Sequence, residues 1–181
     1  MKFGFGRRMS EILFGAVALA LMLSPVAHAE KYASIVVDAD TNEVLHARFA
    51  DEPRYPASLT KAMTLYMVFD ALKSGELTLS EDMPVSRAAA SQPPSNLRLT
   101  PGSTISVRDA IRALVTKSAN DVAVVIAERL GVTESRFATL MTAKAHALGM
   151  SRTTFRNASG LPDARQVSTA RDMAILAERL L

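Results

Sequence analysis

Cysteine and tryptophan are absent from the 181 residues, aromatic residues make up only 6%, and histidine occurs three times. Without thiols there is no disulfide framework, no cysteine nucleophile and no thiolate metal site. His46 and His146 stand outside any zinc-ligand or Ser-His-Asp pattern, so both are expected at a strand edge or on the surface, and no metal or other cofactor is expected. A basic stripe is lacking as well. The net charge of +3 owes much to Lys2, Arg7 and Arg8, and the nearly neutral remainder excludes a phosphate-backbone binder, so nucleic acid is not expected as a partner. The apolar run near the start is shorter than the ~20 residues a membrane span needs. With 49% hydrophobic and 22% charged residues, the chain fits one globular domain and not a disordered segment.

The basic start is followed by the apolar run Ile12–Leu23, a Ser24-Pro25 break and Ala27-His28-Ala29. This order of features reads as a secretory signal peptide over residues 1–29, cleaved after Ala29 by a peptidase that accepts small side chains. Residues 30–181 are therefore expected to be exported, to the periplasm or the outer face of the cytoplasmic membrane. The lack of cysteine beside the cleavage site excludes a lipoprotein.

Beyond the leader, Tyr32–Val37 and Glu43–Phe49 are β-branched or alternating runs around Asp38-Ala-Asp-Thr-Asn42, which predicts a hairpin. Ser58–Ser74 reads as a helix stopped by Gly75, apolar around nearly its whole circumference and therefore expected to be buried, with Lys61, Thr64 and Asp70 as exceptions. Met83–Val85 is a short extended piece, with no further strand evident after it. Periodicity predicts helices over Val107–Thr116, Asp121–Leu130 and Thr133–Leu148, and Ser168–Asp172 caps a final amphipathic helix. A two-stranded hairpin is marginal alone, so the chain is expected to be the N-terminal portion of a larger domain.

Ser58 and Lys61 are three residues apart at the start of the buried helix, which puts the amine on the same face as the hydroxyl. A first-turn lysine faces the positive end of the helix dipole and here has little solvated surface to reach. Both effects lower its pKa and suit it to act as a neutral base for the serine. The plainer reading makes Ser58 an N-cap and Lys61 a snorkelling surface residue. Ser118-Ala-Asn120 lies between two predicted helices and would on its own read as an ordinary cap.

Taken together, Tyr55-Pro-Ala-Ser-Leu-Thr-Lys61 and Lys117-Ser-Ala-Asn-Asp121 are more specific, matching the Ser-x-x-Lys motif of penicillin-binding proteins and a Ser-x-Asn companion. The sequence resembles the low-molecular-weight penicillin-binding proteins, the serine-type D-alanyl-D-alanine carboxypeptidases of peptidase S11 type. Leu99-Thr-Pro-Gly-Ser103, Asn157-Ala-Ser-Gly-Leu161 and Ser168-Thr-Ala-Arg-Asp172 follow in that family's order. The resemblance implies an α+β, β-lactamase/transpeptidase-like fold: a helical cluster plus the N-terminal hairpin of an antiparallel sheet whose C-terminal strands are missing. Residues 30–181 would then be an incomplete catalytic domain.

The resemblance further implies that Ser58 attacks the penultimate D-Ala carbonyl of a peptidoglycan stem peptide while Lys61 takes its proton. Ser118 would relay a proton to the leaving D-Ala, Asn120 would hold the substrate amide and contact Lys61, and β-lactams would acylate Ser58. The family's third motif, Lys-Thr-Gly on a strand, is absent; Lys73-Ser-Gly75 ends a helix and reads as a C-cap. These residues alone are therefore expected to be inactive, and membrane association is left to regions beyond Leu181. Two other readings remain. A class A β-lactamase-like hydrolase is disfavoured by Ala119 and by the lack of Glu from Leu148 to Val167, and a non-catalytic truncated wall-binding relative is disfavoured by retention of all four site residues.

Overall fold

The hairpin forms where the alternating runs predict it: β1 (Ser34–Val37) pairs antiparallel with β2 (Val44–Arg48), Ile35 facing Ala47 and Val36 facing His46. The turn between them is made by the Asp38 side chain, whose Oδ1 accepts from the backbone N–H groups of Asp40 and Thr41 and from the Thr41 hydroxyl. These donors hold its carboxyl below the usual aspartate value. The computed structural model describes residues 32–181, so the expected leader lies outside the described residues.

A second antiparallel pair was not legible. β3 (Asp82–Pro84) pairs with β4 (Thr104–Ser106), three residues each, with Met83 opposite Ile105. The expectation of no strand after Met83–Val85 is thereby corrected. A strand of three residues is too short to display an alternation, and Met83 and Ile105 are buried by the helices beneath them.

Six α-helices follow among the described residues: α1 (Thr60–Ser74), α2 (Arg87–Ala90), α3 (Val107–Lys117), α4 (Asn120–Gly131), α5 (Glu134–Ala147) and α6 (Ala170–Glu178). Their starts follow cap chemistry. Ser106, Thr133 and Thr169 each accept the N–H three residues on, satisfying one of the donors a helix start leaves free. Gly75 ends α1 at φ +79°, confirming the C-cap reading of Lys73-Ser-Gly75.

The centre of the molecule is α4. Its run Val122-Ala-Val-Val-Ile-Ala127 is buried on every side, as a helix apolar all round must be. It packs against α1, α2, α3, α5 and β3, and Phe137, Met63 and Met141 complete the same core. Helix α1 departs from expectation: Leu59, just before it, and Phe69 are exposed, whereas the polar Thr60, Lys61 and Thr64 are buried. The Lys61 and Thr64 side chains go inward because a loop supplies acceptors there, whereas the buried Thr60 hydroxyl has no hydrogen-bond partner among the described residues.

That loop runs between α5 and α6. Isolated antiparallel bridges join Thr154 to Val167 and Arg54 to Ser168, closing its base and tying it to the segment before Ser58. Asp172 braces the same base, accepting from the Arg152 N–H and the Thr153 hydroxyl.

Candidate active site

Ser58 lies on a single 3-10 turn, Ala57–Leu59, that runs directly into α1. Its side chain does not cap the helix, which removes the structural reading of this serine, and the residue is exposed. The preceding Ala57 has φ +47°, in the left-handed region that costs a residue with a Cβ about 1–2 kcal/mol.

Lys61, one turn further, is 3% exposed, and its Nζ donates to the Ser159 carbonyl at 2.6 Å. Burial pushes its pKa down from 10.5 to about 8, because a desolvated ammonium is less favoured than a neutral amine. One turn on again, the Thr64 hydroxyl donates to the Ala158 carbonyl at 2.7 Å. The loop 157–161 thus lies along the polar face of α1. Its approach requires glycine: a Cβ on Gly160 would stand 1.9 Å from the Ala57 carbonyl oxygen. Between this loop and the turn carrying Ser58 opens a largely apolar cavity of about 370 Å³, lined by residues that include Tyr55, Pro56, Ala57, Leu161 and Asp163.

The second pair of residues sits at the junction of α3 and α4. Ser118 is the left-handed C-cap of α3, at φ +52°, and not the N-cap of the next helix as its sequence context suggested. Ala119 precedes α4, so Asn120 is its first residue. Asn120 is held by the loop before β4: its N–H donates to the Ser95 carbonyl and its side-chain amide to the Pro93 carbonyl. Asp121 secures that loop through the N–H groups of Leu97 and Leu99, and the Ser95 hydroxyl donates to the Lys117 carbonyl.

Helices α1 and α4, which carry Lys61 and Asn120, pack against each other. Among the described residues, the Lys61 amine and the Asn120 amide each bond a loop carbonyl. Ser159, Gly160 and Asp121 stood in quoted segments of the sequence but were assigned no role in the site. Two of them act through the backbone, and for Asp121 the only available signal was its place beside Asn120. No cluster of His, Asp and Glu able to hold a metal ion occurs among the described residues. Nor is any helix there long and apolar enough to cross a membrane.

Residues 22–181 match the family model for peptidase S11, D-alanyl-D-alanine carboxypeptidase. The chain belongs to this family. It is 36% identical over 158 residues to D-alanyl-D-alanine carboxypeptidase DacF of Bacillus subtilis (strain 168), covering 87% of this chain and 40% of that protein. Among solved structures it resembles the D-alanyl-D-alanine carboxypeptidase DacD of Francisella tularensis, with a TM-score of 0.79, 38% identity and coverage of 81% of this chain and 35% of the other. It also resembles penicillin-binding protein D2 of Listeria monocytogenes in an ampicillin-bound form, with a TM-score of 0.67, 35% identity and coverage of 82% and 60%. The fold is that of the penicillin-binding proteins, α+β with helices around small antiparallel pairs. The chain spans about 40% of the length of its curated S11 relatives.

Proposed function

We propose that Ser58, Lys61, Ser118 and Asn120 are the acylating residues of a serine D-alanyl-D-alanine carboxypeptidase acting on peptidoglycan stem peptides outside the cytoplasmic membrane. The observation that carries this reading is an exposed serine on a strained turn with a buried lysine of lowered pKa one turn behind it. A lysine near 8 is partly neutral at ordinary pH and can take the serine proton, which a lysine at 10.5 does poorly. The Ser58 oxygen would bond the penultimate D-Ala carbonyl carbon, and the C–N bond to the terminal D-Ala would break. The leaving amine would receive the proton through Ser118. Water would then hydrolyse the ester, releasing the shortened peptide and restoring the hydroxyl. Asn120, fixed at the start of a buried helix, is suited to hold the substrate amide. A β-lactam ring presents a comparable acyl group, so the same serine would be acylated by penicillins. Strained backbone at both pairs, Ala57 and Ser118, fits a pre-organised site.

The deciding experiment incubates the full-length protein, including the strand that the resemblance places after Leu181, with a fluorescent penicillin and locates the label by peptide mass. Attachment at Ser58, lost in Ser58→Ala, is the expected result. In Lys61→Arg the charge remains but the base is gone, so labelling should fall by at least ~10²-fold. Label on another residue, or labelling that survives Ser58→Ala, overturns the assignment.

A further inference from the structure

One buried polar side chain beside the site is not used by the proposed reaction. Gln166 is 2% exposed and sits where the α5–α6 loop returns toward α6. Its Oε1 accepts from the N–H groups of Arg156 and Asn157 at 2.9 and 3.1 Å. Its Nε2 lies 3.4 Å from Asn157 Oδ1 and 3.5 Å from the Leu161 carbonyl. Asn157 closes the same turn from within, donating to the Leu161 carbonyl at 2.9 Å and accepting from the Gly160 N–H at 2.7 Å. The two amides form a clip around residues 156–161. The carbonyls that project from this turn onto α1 are those of Ala158 and Ser159.

We propose that Gln166 is a positioning residue for the reaction proposed above: through the clip it fixes the Ser159 carbonyl, and with it the Lys61 amine. The inference rests on that functional reading only for its use, not for its geometry. An apolar side chain of similar volume would fill the space but leave two part-buried N–H groups without acceptors, a loss a turn relieves by moving toward water. Movement is transmitted because the loop lies so close to the 3-10 turn leading into α1 that a Cβ on Gly160 would collide with the Ala57 carbonyl. Water would then replace the Ser159 carbonyl at the amine and restore the solvation that burial removes. Charged groups on the surrounding elements are already engaged: Asp163 with Arg165, Glu134 with the Ala158 N–H, and Asp121 with the N–H groups of Leu97 and Leu99. Burial is thus left as the cause of the low lysine pKa.

The test titrates the full chain carrying lysine labelled with ¹³C at Cε, the Lys61 signal being assigned by its loss in Lys61→Arg. Wild type should titrate near 8. Gln166→Met and Asn157→Ala, which remove opposite halves of the clip, should each move the midpoint upward by ~1 unit or more. Should Gln166→Met not fold, Asn157→Ala carries the comparison. Met83→Ala, a core truncation in the second sheet, lowers stability and should leave the Lys61 midpoint in place. An unmoved midpoint in the clip variants, or an equal shift in Met83→Ala, overturns the proposal. Penicillin labelling is read separately in the full-length protein that carries the third motif: a moved midpoint in a protein that never labels supports the clip and overturns the proposed reaction.

Discussion

An amine held out of water is a liability whenever it is protonated, and Lys61 is such an amine. Its pKa is about 8 in the folded chain against an ordinary 10.5, so between these values the unfolded chain binds more protons than the folded one. Stability contributed through this group therefore rises with pH across that window, and the full penalty applies below it. Lys61→Met removes the penalty at the expense of a donor to the Ser159 carbonyl, a loss that does not vary with pH. The variant should gain on wild type most below pH 8, and its advantage should shrink steadily toward pH 10.5. Thermal melts of both proteins from pH 7 to 10.5 measure this directly; a gap that stays constant would mean the lysine is not depressed. The same variant should lose penicillin labelling, a trade between stability and activity at one side chain.

At the scale of elements, the site depends on one loop lying against one helix, and two glycines separate the causes of that fit. Gly160 has φ +89° and no room for a Cβ, whereas Gly75 has φ +79° and open space around it. Gly75→Ala should cost ~1–2 kcal/mol from backbone strain alone. Gly160→Ala should cost a further ~1–3 kcal/mol for the clash and also reduce labelling. Denaturant unfolding of the pair isolates the contact. Much of the architecture was legible from sequence, because the hairpin alternates and Ser106, Thr133, Thr169 and Gly75 carry their own start and stop chemistry. Ser58 and Lys61 were legible as a pair by their spacing. What serves Lys61 was not: its acceptor is a main-chain carbonyl 98 residues away, and a carbonyl has no residue type to recognise. For the same reason the burial of Thr64 ran against its polarity, while Leu59 and Phe69, apolar by pattern, turned outward.

At the scale of the molecule, the hairpin carries one patch of apolar exposure among the described residues. Every residue of β2 is exposed, with Leu45 at 60% and Val44 at 44%, while Val36 on β1 is at 50%. Leu45→Thr therefore removes little burial and should change stability by less than ~0.5 kcal/mol. It should also lower self-association in sedimentation at high concentration, because an exposed apolar edge strand invites pairing. The opposite extreme is α4, enclosed by helices and β3. In deuterated solvent its Val122–Ala127 amides can exchange only when the entire core opens, whereas those of β2 need only a local fluctuation. Asn120 begins that slowest-exchanging helix, so its half of the site keeps its place for as long as the protein remains folded at all.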